Sequence, residues 1–292
     1  DDISLNIPKT GIAESANTGN WKIKINDIVL QGTDAKNYTL KQPEEVRGTI
    51  EKETGVLKIN CNSKVYDSIA VEPYVVSNNS TSSVTYKYYK AGTNEEVSKP
   101  SKVGKYEVVG SMISDGNYTE ATTEKIPFEI TTKTITIKGI TSPDKIYDGN
   151  DKMTVTNGEL VGVCAGDTVG FTLPSVSYAE SKNVGNHKIR LGSDIVLTGQ
   201  DAYNYTLTQP TYGSITGNIV KRTITVSGVQ GKTRRYNKTN IMEIIGGTIV
   251  NGVEGDDISL NIPKTGTAES ANTGNWKIKI DDIVLQGTDA KN

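Results

Sequence analysis

Hydrophobic and polar residues alternate along several short stretches of this chain. Between Trp21 and Ile25 apolar side chains occupy every second position and lysines stand between them, and Val84–Tyr88 alternates in the same way. A period of two predicts a strand with one buried face. Glycine, proline and asparagine near these stretches indicate turns. The pattern predicts an all-β chain, and Ile241–Ile245, which has some helical character, is interpreted as a strand or a single turn.

The sequence also repeats itself over a long distance. Residues 256–292 repeat residues 1–37 with two differences, Thr267 for Ile12 and Asp281 for Asn26. Two copies this similar indicate a tandem array. We therefore interpret the 292 residues as a window slightly longer than one period of 255 residues.

Three shorter markers recur in the same order within that period. The first is a tyrosine in a similar local sequence, the second is an Asn-Tyr-Thr triplet, and the third is a glycine followed two residues later by an aromatic ring or histidine. The first marker occurs at Tyr66, at Tyr147 (followed by Asp148 and Gly149) and at Tyr236. The tyrosines of the second marker are Tyr38, Tyr118 and Tyr205. The rings of the third marker are Trp21, Tyr106, His187 and Trp276. Their order predicts modules of about 80 to 90 residues.

The predicted domain organisation follows from these markers. Residues 1–50 form the C-terminal half of a module, 51–131 and 132–218 form complete modules, and 219–292 form the N-terminal portion of a further one. Each is expected to be a small immunoglobulin-like β-sandwich. Almost no linker separates neighbouring modules, so we expect them to abut end to end as an elongated rod.

Composition narrows the function classes. The chain is 35% hydrophobic with a formal charge of −2, a balance that argues against nucleic acid or an anionic membrane surface as partner. No apolar run approaches the roughly 18 residues that span a bilayer. Cys61 and Cys164 lie at non-matching positions in different modules, so we expect isolated thiols.

Catalytic and metal sites are not expected. His187 is the single histidine, and no zinc spacing, catalytic triad or phosphate-binding loop is present. Asp34, Asp115 and Asp201 lack the multi-ligand spacing of a calcium site. The sequence predicts a protein that is not an enzyme and has no cofactor.

The markers have structural interpretations. The ring after Gly-x is expected to point into the sandwich core, and His187 at this position argues for a partly exposed edge of that core. The tyrosine before Asp-Gly is expected to be buried with its hydroxyl on a backbone group, while Asp148 and Gly149 suit a tight turn. The Asn-Tyr-Thr triplets predict strand starts rather than glycosylation acceptors.

One module resembles a known family. Lys145–Gly149, Gly158, Ala165–Asp167, Asn183–Asn186 and Asp201–Leu207 together resemble the YDG repeat of bacterial adhesins. The resemblance covers residues 132–218 well. It extends to 219–292 and 1–50, where Tyr236-Asn237-Lys238 replaces the signature.

Module 51–131 is similar to the related MBG or immunoglobulin-like repeats of large surface proteins, through Val65–Asp67 and Val103–Tyr106. These resemblances imply all-β modules on long proteins that are secreted and attached to the bacterial cell surface. They do not imply a ligand.

Three functional hypotheses remain open. The leading one is a structural stalk or spacer of an extracellular, surface-attached adhesin, which projects a terminal domain and contacts the neighbouring modules of its own chain. The second is the subunit of an extracellular filament whose modules are completed between chains. The third is a module that binds a host glycan or protein through Tyr88, Tyr89 or Tyr203.

Overall fold

The computed structural model of the chain describes residues 2–292. Within them the regular elements are 31 β-strands and two single-turn 3-10 helices, Ala35–Asn37 and Ala202–Asn204. The all-β prediction is therefore confirmed, and Ile241–Ile245 is a strand. In the part of the chain so described, no helix has the length and apolar character needed to cross a membrane.

The chain divides into two compact units, one ending at Lys133 and the other running from Thr134 to Asn292. Strands in the first unit are β1 (Ser4–Asn6), β2 (Ile12–Ala13), β3 (Gly19–Lys24), β4 (Val29–Gln31), β5 (Arg47–Ile50), β6 (Leu57–Asn60), β7 (Lys64–Val65), β8 (Tyr74–Asn78), β9 (Val84–Lys90), β10 (Glu96–Val97), β11 (Gly104–Met112), β12 (Ala121–Thr122) and β13 (Ile126–Thr131).

The largest sheet of the first unit has the strand order β10-β9-β11-β13-β7, with β12 paired to β11. Strands β9 and β10 form a hairpin, and β13 pairs in parallel with β7. The remaining sheets are β1-β4, β6-β8 and β2-β3-β5. Val108 is fully buried, and Phe128 stacks on Tyr106 with ring centres 5.7 Å apart.

Strands that follow in the chain are β14 (Lys133–Thr141), β15 (Lys145–Ile146), β16 (Lys152–Met153), β17 (Thr156–Val161), β18 (Gly170–Thr172), β19 (Ser177–Ala179), β20 (Gly185–Leu191), β21 (Val196–Thr198), β22 (Tyr205–Leu207), β23 (Thr216–Val220), β24 (Thr225–Ser227), β25 (Gln230–Gly231), β26 (Ile241–Ile245), β27 (Thr248–Val250), β28 (Ser259–Asn261), β29 (Thr265–Ala268), β30 (Ile278–Lys279) and β31 (Val284–Gln286).

Two related sets of sheets make up the second unit. The first set is β15-β23-β20-β19-β16, β17-β14-β22 and β18-β21, and the second is β25-β26-β29-β30, β24-β27 and β28-β31. The core of the first set contains Tyr147, Met153, Ile189 and Ile219, against which Val253 also packs.

The same strand arrangement recurs in the three related repeats, which lie within residues 1–50, 132–218 and 219–292. Strands β16, β19 and β20 correspond in order and pairing to β26, β29 and β30, and β18-β21 corresponds to β1-β4 and β28-β31. Strand β5 pairs with β3 as β23 pairs with β20. The sequence repeat is thus also a repeat of strand register.

Candidate functional site at the signature turns and module junctions

A lysine ammonium organises the turn that carries the Tyr-Asp-Gly sequence. Lys145 Nζ lies 2.7 Å from Asp148 Oδ1, and 2.8 Å from the carbonyl oxygen of Lys152 and from two oxygens of Asn150, the carbonyl and Oδ1. Gly149 has φ +82°, a conformation that glycine adopts without strain. We call this segment, residues 145–150, a signature turn.

The other two signature turns, residues 64–69 and 234–239, are built in the same way. Lys64 Nζ lies 2.6 Å from Asp67 Oδ1 and donates to the carbonyl of Ile69 at 3.0 Å. Arg234 donates to Asn237 Oδ1 and to the carbonyl of Thr239. The residue at the glycine position is left-handed in both, with φ +64° at Ser68 and +67° at Lys238. Sequence reasoning missed the basic residue two positions before the tyrosine, although all three copies carry it.

In the two signature turns that contain an aspartate, the carboxylate is held in its charged form. Hydrogen bonding to Lys64 lowers the pKa of Asp67. At Asp148 burial acts to raise the pKa, but the Lys145 ammonium and the N–H of Asn150 outweigh it and the pKa is lowered. At neutral pH both carboxylates are charged, and the interactions that lower their pKa values stabilise the two turns.

The signature tyrosines occupy two kinds of environment. Tyr66 and Tyr147 are 1% and 2% exposed, as predicted for a buried ring, whereas Tyr236 is 57% exposed. The Tyr147 hydroxyl donates to Asp256 Oδ1 at 2.9 Å, so the expectation of a backbone partner was wrong. Burial, together with the bond to Asp256, raises the pKa of Tyr147 to about 12.

The rings of the Gly-x-aromatic marker form a recurring clasp. Each ring folds back over its glycine and bonds the carbonyl oxygen four residues earlier, with a heavy-atom distance between 2.6 and 3.1 Å. The four pairs are Trp21 with Asn17, Tyr106 with Lys102, His187 with Asn183, and Trp276 with Asn272. A carbonyl only accepts, so Nε2 of His187 carries the proton.

None of these four rings is buried in the core, so the prediction of core packing was wrong, whereas the partly exposed core edge that His187 indicated is observed. Trp21, Tyr106 and His187 are half-buried, and Trp276 is 40% exposed. A polar tip that must reach a carbonyl keeps each ring at the edge of the sheet. The glycine is required because a Cβ at Gly104 would lie 2.9 Å from the Tyr106 hydroxyl.

The Asn-Tyr-Thr triplets fit the prediction of a strand start in one copy. Tyr205 begins β22, Tyr118 makes a single bridge to Glu53, and Tyr38 follows a 3-10 turn without entering a strand. The prediction was therefore wrong for Tyr38.

The aspartates considered for calcium accept hydrogen bonds from the backbone. Asp34 Oδ2 accepts from the N–H of Asp2 at 2.8 Å, and Asp201 Oδ2 accepts from that of Thr168 at 2.9 Å. Asp115 Oδ1 accepts from the N–H of Asn117. The hydrogen bond from Ser80, followed by those from backbone N–H groups, lowers the pKa of Asp115. Across residues 2–292 no group of three or more His, Cys, Asp or Glu is placed to hold a metal ion.

An asparagine pair joins neighbouring repeats in the first unit. Asn117 Oδ1 accepts from the N–H of Thr18 at 2.9 Å, and Asn117 Nδ2 donates to Asn17 Oδ1 at 3.1 Å. The hydroxyl of Thr18 also donates to the carbonyl of Gly116. The contact spans the predicted boundary between residues 1–50 and 51–131.

The second unit contains the same pair. Asn292 Oδ1 accepts from the N–H of Val184 at 3.1 Å, and Asn292 Nδ2 donates to Asn183 Oδ1 at 3.1 Å. Asn183 and Asn17 both lie two residues before the glycine of a ring clasp. One repeat therefore contacts the next through the same two side chains in both units.

Further contacts secure the junction in the second unit. Arg222 of the following repeat donates from Nη1 to the carbonyl of Tyr147 at 3.4 Å, and its Nε donates to the carbonyl of Asn251 within the same repeat at 2.6 Å. A Cβ at Gly149 would lie 2.8 Å from a methyl of Val253. With the Tyr147–Asp256 bond, these contacts bind the signature turn to the following repeat.

Of the tyrosines proposed for ligand binding, one is well exposed. Tyr88 is 7% exposed and Tyr203 is 57% exposed, while Tyr89 is half-buried under the Lys125 ammonium, 4.6 Å from its ring centre. The use of Tyr88 as a contact residue was therefore a wrong prediction. Cys61 is buried, Cys164 is half-buried, and the two form no disulfide.

Repeated sheets, signature turns and paired asparagines define an all-β repeat protein. Residues 131–212 and 220–292 match the YDG domain family. Together they cover more than half of the chain, and the chain belongs to the YDG domain family. A comparison with curated proteins gives no match.

Proposed function

We propose that the chain is a spacer region of a secreted, surface-attached bacterial adhesin. Its modules are immunoglobulin-like sandwiches placed end to end as a rod, and its work is to hold a terminal domain away from the cell. The reaction chemistry of an enzyme is not part of this role.

The asparagine pair at the repeat junctions carries the proposal. A junction that uses the same two side chains in both units, Asn17 with Asn117 and Asn183 with Asn292, repeats one geometry along the chain. A repeated geometry propagates in one direction, and neighbour contacts add to the stability of small modules. Such contacts support a stiff and extended array, and they do not indicate that a ligand is bound.

Electron microscopy of one-period and two-period proteins tests the proposal. A module with strands of about 8 residues at about 3.3 Å per residue is roughly 30 to 40 Å long, so each added period lengthens the particle by about 100 Å. Particles that grow in width rather than length would contradict a spacer.

A filament subunit is the second candidate. Indefinite fibres in the same micrographs would favour this role, and separate rods would favour the spacer.

A further inference from the structure

Two asparagines of the chain are followed directly by glycine, in the pairs Asn157-Gly158 and Asn251-Gly252. Glycine has no side chain beside its nitrogen, so that nitrogen can approach the carboxamide carbon of the preceding asparagine closely. Attack on that carbon expels ammonia and closes a succinimide ring, which water then opens. The structure places the two pairs in different surroundings.

The first pair is held in a strand ladder. Asn157 lies opposite Ile140 where β17 pairs with β14, and its Nδ2 donates to the hydroxyl of Thr141 at 2.7 Å. Although Asn157 is exposed, its carboxamide cannot turn toward the nitrogen of Gly158 without breaking these contacts.

The second pair lies outside the strands of the described chain. Strand β27 ends at Val250, and both Asn251 and Gly252 are exposed. Within residues 2–292 neither the side chain of Asn251 nor the N–H of Gly252 makes a hydrogen bond. Both reacting groups are therefore free to meet.

A left-handed backbone explains why asparagine stands at this place. Asn251 has φ +68°, a conformation that asparagine tolerates better than most residues. Gly162 precedes Gly166 by the same number of residues as Asn251 precedes Gly255, and it has φ +102°. Glycine thus serves the same backbone in the preceding repeat, and the turn does not require the carboxamide.

A guanidinium contacts the peptide unit that would react. Arg222 Nε lies 2.6 Å from the carbonyl oxygen of Asn251, and this carbonyl shares its peptide bond with the nitrogen of Gly252. When that nitrogen loses its proton, negative charge spreads onto the carbonyl oxygen. A cation fixed beside the oxygen stabilises this charge.

We propose that Asn251 is a self-modifying site, which converts to aspartate and isoaspartate with Arg222 as the activating group. Hydroxide removes the proton of the Gly252 nitrogen, and the nitrogen then forms a bond to Cγ of Asn251. The Cγ–Nδ2 bond breaks, and Nδ2 takes a proton from water and leaves as ammonia. Water opens the ring at Cγ to give aspartate, or at the former carbonyl carbon to give isoaspartate, so the net change is one water gained and one ammonia lost.

Isoaspartate changes the partner of Arg222. In that product the chain runs through Cγ, and the former carbonyl of Asn251 becomes a free carboxylate. Arg222 then holds a carboxylate instead of a neutral carbonyl, and such charge-assisted bonds are stronger. Since Arg222 Nη1 also donates to the carbonyl of Tyr147 at 3.4 Å, the modification acts on the contact between two repeats. This inference does not depend on the spacer role.

Peptide mapping by mass spectrometry, after incubation of the intact chain at mildly alkaline pH, tests the site. The peptide with Asn251 should gain about 1 Da and become a substrate for isoaspartyl methylation. The peptide with Asn157 should react at least about tenfold more slowly. Asn251→Gly, which keeps the left-handed backbone, should abolish the signal, and in concentrated urea the two asparagines should react at equal rates.

Arg222→Ala separates activation from simple exposure. If Arg222 only held the loop in place, its removal would free the loop and speed the reaction. As the activating group, its removal slows the reaction at Asn251 by at least about tenfold, and Arg222→Lys recovers part of the rate. A faster or unchanged reaction in Arg222→Ala, or equal rates at Asn251 and Asn157 in the folded chain, would overturn the proposal.

Discussion

Tyr147 connects the signature turn of one repeat to the next repeat through one hydroxyl. Its donor bond to Asp256 crosses 109 residues of sequence. Burial and this bond raise the pKa of Tyr147 to about 12, above the usual tyrosine value of about 10. A raised pKa in the folded state gives stability that is complete below the unfolded value and is lost as pH rises through the folded value.

Tyr147→Phe should therefore have two effects on the unit Thr134–Asn292. The free energy of unfolding falls by about 1 to 2 kcal/mol at neutral pH, because the buried bond to Asp256 is lost. The variant then loses less stability than the wild type between about pH 10 and about pH 12. Urea unfolding at several pH values measures both.

The matched control is Tyr236→Phe, at the same marker position but 57% exposed. It should change neither quantity. An alkaline loss of stability that is equal in the wild type and in Tyr147→Phe would contradict the role given to this hydroxyl.

Lys145 is the second residue whose replacement should strongly lower the free energy of unfolding. Lys145→Met leaves the oxygens of Asp148, Asn150 and Lys152 without their shared donor, and about 1 to 3 kcal/mol of unfolding free energy should be lost. The depressed pKa of Asp148 gives stability that is present above the unfolded value and is lost as pH falls through the folded value, so the variant without Lys145 should lose less stability than the wild type on acidification.

Thermal unfolding as a function of pH measures the effect of Lys145→Met. Lys138→Met is the control, since Lys138 makes an exposed pair with Glu159 and such pairs contribute little. Identical behaviour of the two variants would show that the ammonium does not organise the turn.

At the scale of single residues, the basic residue of the signature turn could have been predicted from the sequence, whereas the partner of Tyr147 could not. Comparison of Lys64, Lys145 and Arg234, which all lie two positions before a signature tyrosine, would have revealed the basic residue. The partnership of Tyr147 with Asp256 had no such signal, because no pattern of strand or turn marks a contact between two repeats.

The ring clasps are the clearest feature at the scale of elements. In each, a glycine lets the ring lie over the backbone, and in three of the four the glycine begins a strand. Gly104→Ala places a Cβ 2.9 Å from the Tyr106 hydroxyl, so it should displace the ring and lower the unfolding free energy of the first unit by about 1 to 3 kcal/mol.

Gly116→Ala provides the comparison in the same unit. A Cβ there has no neighbour within 4 Å, and the variant should be neutral or slightly stabilising. Chemical denaturation compares the two, and equal stabilities would remove the need for glycine in the clasp.

The asparagine pair can be separated from its surroundings with a double-mutant cycle. Asn117→Ala and Asn17→Ala each remove bonds at the junction, and about 1 kcal/mol should be lost in the first. The two changes should couple by at least about 0.5 kcal/mol. Asn62→Ala, at an exposed position, should have little effect, and additive losses would contradict the pairing.

Alternation located the longer strands and failed for the shortest. Strands β3 and β9 lie where the period of two predicted them. Strands β7 and β15 have two residues each, too few for a period, and their pairing depends on partners distant in sequence. The triplets at Tyr38 and Tyr205 both follow a 3-10 turn and both tyrosines are extended, but only Tyr205 begins a strand, so the local sequence does not decide the pairing.

At the scale of the whole molecule, the period of 255 residues determines how often a single contact is repeated. In the proposed spacer, a contact that recurs once per repeat recurs along the array, so weak junction bonds would sum to the stiffness of a rod. The repeat itself was evident in the sequence, whereas the side chains that join one repeat to the next were not.

Small-angle X-ray scattering of the chain tests this account most directly. Modules in line, each roughly 30 to 40 Å long, predict a radius of gyration above about 28 Å. A compact globule of this length has a radius of gyration of about 19 Å. A value near the second figure would contradict a spacer built from end-to-end repeats.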